Sequence, residues 1–116
     1  MPSLRRIEKV SMLMREEIAR TIEREVEFGE GVMVTITHVV ISPDGFYATA
    51  YFSVLGGHAG AAFAILQKNV YDIQQAINRV LRMRPVPKIR FAVDEEEERR
   101  ERVEESLARL KKNHEL

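Results

Sequence analysis

The segment from Arg79 to Phe91 constrains the fold more than any other part of this sequence. Apolar residues at helical spacing lead into it, and Pro85 ends that helix because proline cannot continue one. A short apolar strand, Lys88 to Val93, follows almost at once. Five positive charges and no negative one lie between Arg79 and Arg90. The sequence therefore predicts that a helix end, a proline stop and a core strand meet at one basic junction.

Two further regions carry patterns of regular structure. From Leu4 to Glu27 apolar residues recur every three or four positions, which predicts one amphipathic helix. Residues 32–41 and 46–55 are rich in β-branched and aromatic residues and flank a Ser-Pro-Asp-Gly turn sequence, so they predict a β-hairpin. One face of the second strand is expected to meet the helices, and it comprises Phe46, Ala48, Ala50, Phe52 and Val54.

The helix that ends at Pro85 is long for a chain of 116 residues. About 25 helical residues at about 1.5 Å each would span nearly the whole width of such a domain. Asn69 and Asp72, near its middle, are weak helix formers. We therefore predict a bend or break at residues 69–72.

The C-terminal part of the chain is acidic and is predicted to form a separate helix. Asp94 is followed by four consecutive glutamates, which is typical of a helix N-cap and an acidic first turn. The predicted final helix carries a thin apolar seam of Val103, Leu107 and Leu110. This seam could dock on the body or stay partly detached, and the sequence does not decide between the two. We divide the chain into a domain at residues 1–94 and an acidic helix or tail at residues 95–116.

Composition and motifs narrow the range of functions that this chain could have. The chain has no cysteine, which excludes disulfides and thiolate metal sites and favours a reducing, cytoplasmic location. Its three histidines lack metal-ligand spacing, and no catalytic or nucleotide-binding motif is present. We therefore expect no enzymatic activity, no metal and no cofactor. No apolar run is long enough to cross a membrane, so no membrane partner is expected.

The formal net charge is zero, but the charges are unevenly distributed. Residues 1–93 contain 12 Lys and Arg against 9 Asp and Glu, whereas residues 94–116 contain 6 against 9. The body is thus mildly basic and the tail acidic. Local attraction to a polyanion such as RNA is expected to be moderate, so tight binding would also need shape complementarity.

Three stretches of the chain resemble the bacterial ribosome-binding factor A family, at residues 6–18, 41–56 and 81–94. The third is the most specific, because it combines a basic helix end, a Val-Pro pair and a Phe-x-x-Asp strand exit. The order helix, strand, strand, kinked helix, strand resembles an α+β domain of the type II KH-like class, here with an added C-terminal helix. Family members have an Ala-x-Gly kink in the long helix, and this chain has Asn69, Val70 and Tyr71 at that position.

The resemblance implies a monomeric, cytoplasmic ribosome-binding factor without catalytic activity. Its partners would be the free 30S ribosomal subunit and 16S rRNA, whose late maturation and processing it would assist, including during growth in the cold. The residues expected to bind RNA are cations of the first helix and of the basic junction, with one residue at the kink position and the lysine that precedes it. They are Arg5, Arg6, Lys9, Lys68, Asn69, Arg79, Arg82, Arg84, Lys88 and Arg90.

Three alternatives stay open on the sequence alone. The cations of the basic junction could simply solvate a helix end. The chain could be a generic KH-like binder of single-stranded RNA, in which Tyr47 and Tyr51 stack on bases. It could also be a protein-interaction module that binds through the apolar seam or the open face of the sheet.

Overall fold

A computed structural model of the chain describes residues 4–114. Its elements are α1 (Leu4–Glu25), β1 (Met33–Ile41), β2 (Tyr47–Leu55), α2 (Ala59–Val80), β3 (Lys88–Val93) and α3 (Glu95–His114). The strands form one sheet in the order β1-β2-β3, with β1 antiparallel and β3 parallel to the central β2. The predicted α+β element order is confirmed. The outermost residues of the two predicted segments, 1–3 and 115–116, lie outside the described residues.

The core lies between the sheet and the two long helices. Met14 and Ile18 of α1 and Leu66 and Ile77 of α2 are fully buried against Phe52 of β2. Alternate residues of β2 point into this core, as a period of two requires. The opposite face of the sheet is left open by α1 and α2.

The prediction that Phe46 shares this buried face is wrong. Its side chain is 57% exposed, and the residue precedes β2 instead of belonging to it. The Phe46 amide donates to the Asp44 carboxylate at 3.0 Å, within a turn in which Gly45 has a φ of 80°. The turn therefore extends one residue further than the hairpin pattern suggests, because a side-chain acceptor captures this amide.

The predicted break in the long helix is absent. α2 is helical without interruption from Ala59 to Val80, and its 22 residues span about 33 Å at the α-helical rise. The amide of Asn69 donates to the Ile65 carbonyl at 2.8 Å, one turn earlier in the same helix. Asn69 thus makes a bond that a regular helix allows. The longest dimension of the molecule is 58 Å, so an unbroken run of this length fits.

Gln74 of α2 joins the helix to the edge of the sheet. Its side-chain oxygen accepts from the Ile89 amide at 2.8 Å, and its nitrogen donates to the Pro87 carbonyl at 3.2 Å. β3 is an edge strand, whose outward amide and carbonyl groups need partners other than a neighbouring strand. Gln74 therefore determines how α2 lies beside the start of β3.

Asp94 connects three elements, and its predicted role as a helix N-cap is confirmed. One carboxylate oxygen accepts from the Glu97 amide at 3.0 Å, and the other accepts from the Thr37 hydroxyl at 2.6 Å. Its own amide donates to the Phe52 carbonyl at 2.7 Å. The hydrogen bond from Thr37, followed by the one from the Glu97 amide, lowers the pKa of Asp94 below the usual 3.8.

Replacing Asp94 with alanine should lower the free energy of unfolding by about 1–2 kcal/mol at pH 7, since both a helix cap and the partly buried hydrogen bond to Thr37 are lost. A lowered pKa stabilises the fold above the usual pKa, and that stability disappears as the pH falls through the folded-state value. The gap between wild type and Asp94→Ala should therefore shrink below about pH 4. Urea unfolding at pH 7 and pH 3 measures it, and an equal gap at both values would contradict a charged cap.

α3 contacts the body through its first turns alone. The Glu98 carboxylate accepts the Val54 amide at the end of β2, and Glu101 bonds to Ser53. Beyond this point the helix is exposed, and each residue of the seam is more than half exposed. The seam is therefore detached from the body. Within residues 4–114, no helix is both long and apolar enough to span a membrane.

Candidate nucleic-acid interface

The order of the elements gathers most of the predicted cations at one end of the sheet. α2 ends and β3 begins there, so Arg79, Arg82 and Lys88 surround the helix-to-strand connection. The C-terminus of α1 leads into the start of β1 at the opposite end, so the first turns of α1 point back toward these cations. We call the junction of α2 and β3 the basic end, and it comprises Arg79, Arg82, Lys88 and Arg90. Arg5, Arg6 and Lys9 lie in the first two turns of α1.

Several cations of the basic end have unneutralised charge. The side chains of Arg79, Arg82 and Lys88 are exposed and make no ion pair or hydrogen bond with another residue in the 4–114 range. The arginine–carboxylate pairs within the same range lie in α1 and α3. Cations without a carboxylate neighbour keep their full attraction for a phosphate. The basic end is therefore suited to a polyanion.

Arg84 has a different environment from the neighbouring Arg82. Its guanidinium donates to the carbonyls of Leu81 at 2.8 Å, Met83 at 2.7 Å and Asn78 at 3.0 Å. The Asn78 and Leu81 carbonyls are among those that the end of α2 leaves without helical partners, and the Met83 carbonyl lies in the connection that follows. Arg84 therefore closes the helix end, and the structure gives it a role within the fold.

Arg90 links the basic end to an aromatic side chain. Its guanidinium carbon lies 3.6 Å from the centre of the Tyr47 ring, a cation–π contact between neighbouring strands. Lys88 and Arg90 alternate with the buried Ile89 and Phe91 along β3. Both cations therefore lie on the open face of the sheet, next to Tyr47.

A groove of about 500 Å³ runs between α2 and the edge of β3. Lys88 and Arg90 form one wall, while Tyr71, which is 71% exposed, stands on the other. A positive rim beside an exposed ring is the combination that binds single-stranded nucleic acid through phosphates and stacked bases. The complete lining is Phe63, Gln67, Val70, Tyr71, Gln74, Lys88, Ile89, Arg90 and Phe91.

Lys68 and Asn69, which were predicted to bind RNA, do not line this groove. Lys68 is exposed beside it, and the Asn69 amide is bonded within α2. Sequence reasoning missed Gln67 and Tyr71, which face the groove instead. A signal was present, because Phe63, Gln67, Tyr71 and Gln74 recur at helical spacing beside the buried stripe of α2.

A larger groove, about 730 Å³, lies at the opposite end between the C-terminus of α1 and β1. Glu23, Glu27 and Glu30 are among its lining residues. Three carboxylates would repel a phosphate backbone, so this groove is not suited to nucleic acid. Residues 4–114 also contain no group of three or more His, Asp or Glu side chains placed to hold a metal.

Comparison with known proteins identifies the family. Residues 6–107 match the sequence profile described as ribosome-binding factor A. The ribosome-binding factor A of Nitrosococcus oceani is 30% identical over 100 residues, which cover 84% of this chain and 79% of that protein.

A crystal structure of Thermus thermophilus ribosome-binding factor A and a homology model of the same protein, fitted into a cryo-EM map, share the fold. The crystal structure has a TM-score of 0.66 at 19% identity and covers 75% of this chain and 93% of its own. Coordinates fitted into a cryo-EM map of a 30S complex give a TM-score of 0.60 at 22% identity, covering 71% and 88%. The predicted type II KH-like class with an added C-terminal helix is confirmed by these likenesses and by the element order. Since the family profile matches most of its length, this chain belongs to the ribosome-binding factor A family.

Proposed function

We propose that this protein binds the free 30S ribosomal subunit through 16S rRNA and assists late maturation and processing of that RNA, including during growth in the cold. The match of residues 6–107 to the family carries this proposal. A relative from Thermus thermophilus has been fitted into the map of a 30S complex, which supports the same partner here. The protein would act as a monomer in the cytoplasm, with residues 1–94 as the RNA-binding domain.

The basic end and the groove have separate tasks in this proposal. Arg79, Arg82 and Lys88 contact phosphates and orient the protein on a folded RNA surface. The groove beside Tyr71 takes an unpaired nucleotide of the same RNA. Phosphate contacts supply most of the affinity, and the groove restricts binding to RNA of suitable shape.

Binding alone is sufficient for such an activity. A protein that binds one conformation of immature RNA more tightly than another shifts the RNA toward the favoured conformation. The size of the shift is set by the ratio of the two affinities, so no catalytic group and no energy source are required. We therefore propose that the protein has no enzymatic role in maturation.

The direct test is sedimentation of the purified protein with 30S subunits, 50S subunits and 70S ribosomes at moderate salt. We expect the protein in the 30S fraction alone. Deleting the gene should leave 16S rRNA with unprocessed ends, more strongly at low temperature. A protein that stays at the top of the gradient with all three particles would refute the proposal.

The exposed seam of α3 favours a second candidate function, binding to another protein. A variant with Leu107→Ser and Leu110→Ser separates the two, because both side chains are exposed and their replacement should not affect the fold. Unchanged sedimentation with 30S subunits would favour RNA recognition by residues 1–94. Loss of sedimentation with an unchanged melting temperature would favour the seam.

A further inference from the structure

We propose that the open face of the sheet is a second RNA contact, which binds unpaired nucleotides by stacking on Tyr47 and Tyr51. This inference rests on the proposed function, and it adds a surface on the opposite side of β3 from the α2–β3 groove. The open face bears two aromatic pairs. One is the stacked pair His38 and Tyr51, and the other is Tyr47 under Arg90.

A β-bulge determines the position of His38. The pairing of β1 with β2 shifts between Ile36 and His38, which leaves Thr37 as an extra residue. Without the bulge, alternation would turn His38 toward the core, because Ile36 is buried. With the bulge, His38 pairs with Tyr51 on the open face, where the two rings lie 4.5 Å apart and nearly parallel, at 5°. A stacked pair held by two strands is a rigid platform.

Across from His38, Tyr51 pairs with Ala92 of β3, whose side chain is a single methyl group. This small side chain leaves room for a base beside Tyr51 on the β3 side of the open face. Tyr47 and Tyr51 are four residues apart on β2, or about 13 Å at the strand rise. This spacing admits one base at each ring.

The charges around the open face favour RNA over a protein partner. Lys88 and Arg90 lie at its basic end, next to Tyr47. At the other end of β2 stand Glu98 and Glu101 of α3. The Asp94 carboxylate also lies 3.6 Å from Nδ1 of His38, beside the stacked pair. The face is therefore positive beside Tyr47 and becomes negative from the His38–Tyr51 pair toward α3. A nucleotide strand would be attracted to the end that bears Tyr47 and repelled from the end next to α3.

The open face is continuous with the α2–β3 groove. Lys88 and Arg90 line the groove and also stand on the open face, because β3 is an edge strand. One RNA strand could therefore pass from the Tyr71 side of β3 to the Tyr47 side while its phosphates stay near the same two cations. The two surfaces would bind successive nucleotides of one unpaired segment.

The test measures binding of a fluorescein-labelled, 10-nucleotide single-stranded RNA by anisotropy at several salt concentrations. Tyr47→Leu with Tyr51→Leu should weaken binding by about tenfold or more, since base–aromatic stacking is lost. The slope of affinity against salt should stay unchanged because no cation is removed. Tyr47→Phe with Tyr51→Phe keeps both rings and should bind as wild type does.

Two controls make the result specific. Val40→Ala alters the same face without removing a ring and should bind the oligonucleotide as wild type does. Tyr47→Leu alone replaces an exposed side chain and should fold even if the double variant does not. Its loss in the logarithm of the affinity should be about half that of the double variant. Wild-type affinity in both leucine variants, or an equal loss in Val40→Ala, would overturn the inference.

The inference and the proposed function fail in different ways. If wild type does not sediment with 30S subunits, the proposed function is refuted. If wild type sediments with them and the leucine variants bind the oligonucleotide as tightly as wild type, the open face alone is excluded as an RNA contact. If the open face binds a protein instead of RNA, the leucine variants should also bind the oligonucleotide as wild type does. That result therefore counts against the inference.

Discussion

Gly56→Ala should destabilise the fold by about 3 kcal/mol or more, beyond what most single substitutions cause. Gly56 has a φ of 77°, where an L-residue is strained. A Cβ at this position would overlap the Gly31 carbonyl oxygen and lie 3.3 Å from the Gly31 carbonyl carbon. Both are backbone atoms, which cannot move aside as a flexible side chain can. The loop before α2 and the loop after α1 would therefore have to move apart. Urea unfolding measures the loss.

Two other glycines serve as matched controls for this substitution. Gly31 has the same φ of 77° but open space around it, so Gly31→Ala should cost about 1 kcal/mol from backbone strain alone. Gly60 lies in the first turn of α2, and no atom lies within 4 Å of a Cβ added there. Gly60→Ala should therefore be neutral or stabilise the fold by up to about 1 kcal/mol. An equal loss in Gly56→Ala and Gly31→Ala would contradict the close approach of the two loops.

Arg79→Ala with Arg82→Ala should weaken 30S binding by roughly 30-fold near 0.15 M salt, if each arginine contacts one phosphate with a slope of about 0.9. The slope of log affinity against log salt should decrease by about 2. The free energy of unfolding should change by less than about 0.5 kcal/mol, because both side chains are exposed. Sedimentation at several salt concentrations and urea unfolding provide the two measurements.

Arg84→Ala and a double arginine variant in α3 serve as controls for this result. Arg84 bonds to three carbonyls at the end of α2, so its removal should cost about 1–2 kcal/mol of stability. Arg99→Ala with Arg102→Ala removes the same charge as the test pair from the acidic helix and should leave 30S binding unchanged. Equal weakening by the two double variants would mean that net charge, and not the basic end, determines binding.

The contrast between Arg82 and Arg84 illustrates what a local pattern can predict. Both are arginines of one basic run, and the same argument from charge applies to each. Whether a guanidinium reaches the carbonyl of Asn78 depends on the path of the chain after Leu81, which no spacing rule contains. The sequence could therefore predict a basic junction, but not which of its cations are used within the fold.

The predicted break at residues 69–72 failed for a related reason. Weak helix formers there suggested a break, yet Leu66 and Ile73 on either side are buried in the core. Most of the stability of a helix in a protein comes from packing of its apolar face, which outweighs small differences in propensity. The groove residue Tyr71 was missed because its significance depends on the neighbouring edge of β3, far away in sequence.

The sequence by itself determined the helices, the hairpin, the Asp94 cap and the family. Each of these is encoded in residues a few positions apart or in a pattern along the chain, where periodicity and capping chemistry act directly. Only the tertiary structure decided that α3 projects, that Arg84 closes α2, and that His38 stacks on Tyr51. These depend on contacts between segments distant in sequence, whose geometry is determined by packing of the whole core.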